Sequence, residues 1–170
     1  MRFVFDVESN GLHGPGFAVG WVLMDHGNTV STGFLRCPVD VELNPWVIEN
    51  VVPYLEPENC SSSLDLRYKF WEAWMAAKAL GATAWADCAF PVEANFLAAC
   101  VADAPESRTW GAPYPLHEIA TVLTCNGVDP IYCHDRLEDE VAHHPTGDAR
   151  QSGRLLQWFF PEPILPKSES

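Results

Sequence analysis

The sequence predicts an α/β protein of three layers, with a mixed five-stranded sheet, its first three strands antiparallel, flanked by helices. Three observations point there. Three apolar, strand-like runs joined by short turns come first in the chain. Segments with helical spacing then alternate with short strand-like ones. Finally, 170 residues that are 48% hydrophobic, with seven Trp and nine Phe, suffice for one sizeable core. A single domain over residues 1–160 is expected, with a proline-bearing flexible tail over 161–170.

Arg2 to Val7 reads as the first strand. Side chains alternate along a strand, so Phe3 and Phe5 share one face and Val4 and Asp6 the other. Ser9-Asn10-Gly11 and Gly14-Pro15-Gly16 make a turn-rich loop. Phe17 to Met24 is almost wholly apolar, as in a strand covered on both faces, and Asp25 to Asn28 turns tightly into a third strand, Thr29 to Cys37. Asn44-Pro45 supplies an N-cap and a first-turn proline for a helix to about Tyr54. Leu64 to Leu80 places apolar residues at helical spacing and stops at Gly81, a C-cap signal. Thr83 to Cys88 is the fourth strand, Pro91 to Ala102 a helix, and Arg108 to Trp110 the start of the fifth strand. Leu116 to Leu123 and Asp148 to Phe159 are the last helices, the second ended by Pro161.

Ten basic against 23 acidic residues give a net charge of −13, which excludes the basic face of a protein that coats a long duplex. No run approaches the roughly 18 apolar residues of a membrane span. Met1-Arg2-Phe3-Val4-Phe5-Asp6 turns acidic too soon for a secretory signal. Six cysteines without a Cys-x-x-Cys pair are expected to be reduced thiols of a cytoplasmic chain, with no structural zinc.

Strand alternation puts Asp6 and Glu8 on one face at the end of the first strand. Two carboxylates projecting together repel unless a cation intervenes, and hard oxygen ligands suit magnesium or manganese. An exposed acidic turn is the alternative, since ten Asp and thirteen Glu in 170 residues give about one Asp-x-Glu by chance. Asp87 ends the fourth strand, where sites form in α/β sheets, or else caps the following helix. His143 precedes Asp148 in a His-x4-Asp pattern that opens the last helix, and Pro145 and Gly147 leave the histidine on a loop. An acid in a first helical turn also suits the macrodipole without any further role. The same spacing recurs at His134 and Asp139, in an acidic run from Asp135 to Glu140 that reads as a solvated face. Trp71, Trp85 and Trp110 are candidates for stacking bases, although their apolar settings favour the core.

The order of these pieces resembles the DEDDh 3′–5′ exonucleases, the superfamily of polymerase proofreading domains and oligoribonucleases. Phe5-Asp6-Val7-Glu8-Ser9-Asn10-Gly11-Leu12 is similar to the family's Asp-x-Glu-Thr-x-Gly-Leu, and His143 through Asp148-Ala149 to its His-x4-Asp-Ala. The middle motif departs from the family. Anchoring on chemistry takes Asp87, and anchoring on Phe96-Leu97 takes Glu93. The resemblance spans Asp6 to about Phe160 and implies an RNase H-like fold and a hydrolysis assisted by two Mg2+ or Mn2+ ions. It implies Asp6, Glu8, Asp87 and Asp148 as metal ligands and His143 as the general base. It also implies Ser9, Gly11 and Leu12 as contacts to the terminal nucleotide. Its implied substrates are 3′ ends of single-stranded RNA or DNA, short ones given so few basic residues, and its free-standing members imply a homodimer. A non-catalytic member of the fold that binds nucleotide or protein, and an unrelated α/β protein, are the competing readings.

Overall fold

A computed structural model of the chain describes residues 1–130 and 135–160; the tail expected over 161–170, together with Cys133 and His134, lies outside them. Strands β1 (Arg2–Ser9), β2 (Gly16–Asp25) and β3 (Asn28–Arg36) form an antiparallel meander, and β4 (Thr83–Ala86) and β5 (His117–Glu118) add parallel strands on the other side of β1. The sheet order is β3-β2-β1-β4-β5, so β1 is the central strand. This is the mixed five-stranded α/β sheet predicted, and it is consistent with an RNase H-like fold.

The two faces of β1 feed two cores, as the alternation requires. Phe3, Phe5 and Val7 pack with Phe70 and Trp74 of α2 (Ser63–Ala79) and Phe96 and Leu97 of α3 (Ala94–Ala102). The Phe5, Phe70 and Phe96 rings form a chain of contacts with centroids 5.3 and 5.1 Å apart. Each such ring contributes about 1.5–3 kcal/mol when fully buried. Across the sheet, Val4, Val22 and Met24 meet Ile119 and Leu123 of α5 (Ile119–Cys125) and Ala149 and Leu156 of α6 (Pro145–Phe159).

Local signals place the helix ends. The Ser62 hydroxyl accepts the Asp65 N–H at 3.2 Å to cap α2. At the other end Gly81, at φ +80°, closes a Schellman motif, donating to Lys78 O at 2.9 Å while Ala82 donates to Ala77 O at 3.1 Å. The short α1 (Pro45–Asn50) is capped by Asn44 Oδ1, which accepts the Trp46 N–H at 2.9 Å. It stops earlier than predicted and gives way to a 3₁₀ turn over Val52–Tyr54.

Further elements differ from the sequence reading. The strand expected from Arg108 is instead a short helix, α4 (Pro105–Arg108), and β5 lies at His117–Glu118, at the start of the stretch expected to be helical from Leu116, so that α5 begins only at Ile119. Pro105 starts that helix, and Arg108 turns inward to donate to Cys100 O at 2.8 Å and to cover the Trp71 ring at 5.2 Å, which outweighs the strand propensity of Thr109-Trp110. An irregular turn with Phe90 extended occupies Ala89–Glu93, so α3 begins at Ala94 and not at Pro91. Helix α6 begins at Pro145, three residues before the predicted start. No helix among the described residues is long and apolar enough to cross a membrane.

Candidate metal centre and adjoining cavity

Val4, Asp6 and Glu8 alternate along the face of β1 that α6 covers, so the apolar run ends in two carboxylates beneath the first turn of that helix. Asp148 stands in this first turn. Oxygens of Asp6, Glu8 and Asp148 all lie within 4.8 Å of one another, each residue half-buried.

A close helix-to-sheet contact makes this possible. Asp6 pairs in register with Gly20 of β2, and a Cβ on Gly20 would overlap the backbone of Pro145 and Thr146. The missing side chain therefore seats the N-terminus of α6 directly on the sheet. The Thr146 hydroxyl donates to Gly33 O of β3 at 3.0 Å and pins the helix there. Ala149, Ser152 and Gly153 continue the same buried, small-residue face of α6.

The carboxylates are held at unfavourable charge density. Burial first, and then Asp148, Glu8, Glu93 and Asp87, raise the Asp6 carboxyl well above its ordinary range. Burial, Asp148 and Glu93 push Glu8 up to about 8. Asp148 is also raised by burial, against the opposing pull of the Arg136 guanidinium and of the His143 backbone N–H that it accepts. Three oxygen donors that repel one another in a half-buried cleft fit a hard divalent cation, which relieves both burial and repulsion.

Two further acids, Glu93 and Asp87, lie near the three. Glu93 is 5% exposed, accepts the Val7 N–H at 3.3 Å, and raises both Asp6 and Glu8. Burial pushes its own carboxyl up to about 7, against backbone hydrogen bonds that lower it. Asp87 lies exposed just past β4, and its carbonyl accepts the Ala120 N–H at 2.9 Å. Its charge still raises Asp6 and Glu93; the oxygens of Glu93 and of Asp87 both fall outside the group of three. The irregular turn over Ala89–Glu93 is what swings Glu93, and not Asp87, under β1.

His143 takes the left-handed backbone conformation, φ +60°, immediately before the α6 cap. Its ring meets the Trp46 indole edge to face, with centroids 5.4 Å apart. His144 has a structural task. Its Nδ1 accepts the Gly147 N–H at 3.4 Å as the helix cap, its ring stacks on Phe34 at 5.0 Å, and Nε2 lies 3.5 Å from Glu56.

Beside Glu8 opens a cavity of about 340 Å³ walled by Ser9, Gly11, Leu12, Trp46 and Val92. Leu12 and Trp46 are 68% and 55% exposed and present apolar surface to this cavity. Two asparagines hold these walls together: Asn10 Oδ1 accepts the Asn44 N–H at 2.7 Å, and Asn10 Nδ2 donates to Glu42 O at 3.0 Å. The Ser9 hydroxyl is committed to Gly11 O at 2.9 Å, so Ser9 shapes the loop as well as lining the cavity.

Sequence reasoning missed Trp46 and Arg136. The signal for Trp46 was present, since a tryptophan in the first turn of a short capped helix has little core to enter. Arg136 was hidden in the run Asp135 to Glu140, where Asp135, Leu137, Glu138 and Asp139 are exposed as expected but Arg136 and Glu140 turn inward. Glu140 is 3% exposed and gripped by both arms of the Arg154 guanidinium at 2.6 and 2.7 Å. Of the tryptophans proposed for stacking, Trp71 is core, Trp85 stacks on His117 at 4.5 Å, and the exposed Trp110 does not line this cavity.

No protein-family model matches the chain, and no curated protein matches it.

Proposed function

We propose that this protein is a divalent-metal-dependent 3′–5′ exonuclease that trims short single-stranded RNA or DNA. The observation that carries this reading is the convergence of Asp6, Glu8 and Asp148 within 4.8 Å, on the border of an apolar cavity sized for a nucleobase. Asp6, Glu8 and Asp148 would hold Mg2+ or Mn2+, with Glu93 as the buried fourth carboxylate in the place that chemistry alone gave to Asp87. When bound, such ions stabilise the charge that develops on attacking and leaving oxygens in phosphodiester hydrolysis.

The chain's own residues supply the rest. Leu12 and Trp46 receive the terminal base between apolar surfaces, a sequence-tolerant mode of holding a single strand. The backbone of Gly11, at φ +78°, brings the loop close to the bound nucleotide without a side chain in the way. His143 accepts the proton of the attacking water as the general base. The phosphorus–O3′ bond of the terminal linkage breaks, leaving a 3′-hydroxyl on the shortened strand and releasing a nucleoside 5′-monophosphate. Net acidity outside the site disfavours long duplexes, which narrows the substrate to 3′ ends.

The test is digestion of a 5′-labelled single-stranded RNA and its DNA equivalent with Mg2+, Mn2+ or EDTA. A ladder that shortens from the 3′ end, disappears with EDTA and is lost in Asp6→Ala is the expected result. No shortening of either strand at high protein concentration overturns the reading.

A further inference from the structure

We propose that Arg136 is an internal counter-ion of the carboxylate site. It holds Asp148 in the metal-free protein, cedes it when divalent cations bind, and then offers its guanidinium to the substrate's phosphates. The proposal rests on the nuclease reading above.

Arg136 Nη1 lies 2.6 Å from Asp148 Oδ1, with the two side chains 27% and 17% exposed. The same nitrogen donates to Glu140 O at 3.1 Å, whereas the Arg136 Nε is buried without a hydrogen-bond partner. Of the contacts at Nη1, only the hydrogen bond to one backbone carbonyl is left once a cation takes the Asp148 carboxylate, and the side chain is then free to turn.

The backbone beneath it is not. Glu140 accepts the Leu137 N–H at 2.9 Å, and Glu140 N donates to Leu137 O at 3.0 Å, in a small closed turn. Arg154 then clamps the Glu140 carboxylate from α6 at 2.6 and 2.7 Å. Arg136 therefore leaves from a fixed point, and its fork stays within one side-chain length of Asp148.

Charge decides when it leaves. Asp6, Glu8 and Asp148 offer oxygens within 4.8 Å of one another, and Arg136 pairs with only one of the three. A divalent cation at Asp148 carries more charge in a smaller volume and repels the guanidinium, so the two compete for the same carboxylate. A phosphodiester brought to the bound cations then meets a fork suited to two phosphate oxygens. In a chain of net charge −13, a cation stationed at the site is a scarce asset for a polyanion.

The experiment compares wild type with Arg136→Gln and Arg136→Lys by Mn2+ titration calorimetry and by thermal melting with and without Mn2+. Arg136→Gln is expected to bind Mn2+ about tenfold more tightly, as expected for removal of one charged competitor, with Arg136→Lys near wild type. Its melting temperature falls only in the metal-free state, and its KM for a single-stranded RNA rises by more than its kcat changes. Equal or weaker Mn2+ binding by Arg136→Gln, or a melting deficit that persists unchanged with Mn2+, overturns the counter-ion assignment. Absence of Mn2+ binding by wild type and both variants overturns the nuclease reading itself.

Discussion

The imidazole of His143 meets the indole of Trp46 edge to face, centroids 5.4 Å apart and planes at 87°. One ring is the proposed proton acceptor and the other a wall of the proposed base cavity. Occupancy of that cavity and the position of His143 are thus linked through a single contact. Trp46→Ala is expected to lower kcat/KM on single-stranded RNA by about 10- to 100-fold, in line with the 1–3 kcal/mol of a base stack, and to lower kcat as well. Trp46→Phe restores most of the loss. Steady-state release of 3′-terminal nucleotides measures both, and an unchanged Trp46→Ala enzyme would remove the base platform from the scheme.

The two adjacent histidines separate by role. His143→Ala is expected to cost about 10²- to 10⁴-fold in kcat, the usual worth of a positioned general base. His144→Asn keeps an N-cap acceptor and is expected to keep kcat close to that of wild type. Steady-state kcat at saturating Mn2+ is the readout, and a His143→Ala enzyme as fast as wild type would assign the proton transfer elsewhere.

The carboxylates impose a sign on stability. Glu8 is raised from 4.5 to about 8 and Glu93 from 4.5 to about 7, so the folded state holds protons that the unfolded state has lost. Stability of the metal-free protein is therefore expected to fall as pH rises from about 4.5 through about 8. Saturating Mn2+ replaces those protons and flattens or reverses the slope. Melting temperatures in EDTA across this range test the point; a metal-free melting temperature that climbs with pH contradicts it.

Gly20 sets the distance between helix and sheet. A methyl group there collides with the Pro145–Thr146 backbone, and Gly20→Ala is expected to destabilise the fold by about 1–3 kcal/mol, as overpacking does. Because the displaced element carries Asp148, Mn2+ affinity falls together with stability. Calorimetry on the folded variant distinguishes this from simple unfolding, and undiminished Mn2+ affinity would show that α6 did not move.

Glu93 and Asp87 give a direct comparison. Glu93→Gln is expected to weaken Mn2+ binding more than Asp87→Asn, because Glu93 is buried beside Asp6 and Glu8 while Asp87 lies at the exposed rim. The reverse order in titration calorimetry returns the role to Asp87.

Short-range rules made much of this protein legible from sequence. Strand alternation alone put Asp6 and Glu8 on one face and Phe3 and Phe5 on the other, since both follow from a period of two residues. Asn44 and Gly81 marked helix ends because capping is satisfied within a few residues. What tertiary structure decided lies at longer range. Gly20 read as an unremarkable strand residue until α6 came to rest on it from more than 120 positions away. Glu93 became the inner acid, and Asp87 the outer one, because an irregular turn redirected the chain after β4. Arg136 looked solvated in its acidic run, yet the Glu140–Arg154 clamp turned it toward Asp148. Local sequence determined which groups could carry charge and which way a strand presented them. Only packing determined which charges had to share one place, because the energy of a carboxylate depends on neighbours and solvent that no single segment contains.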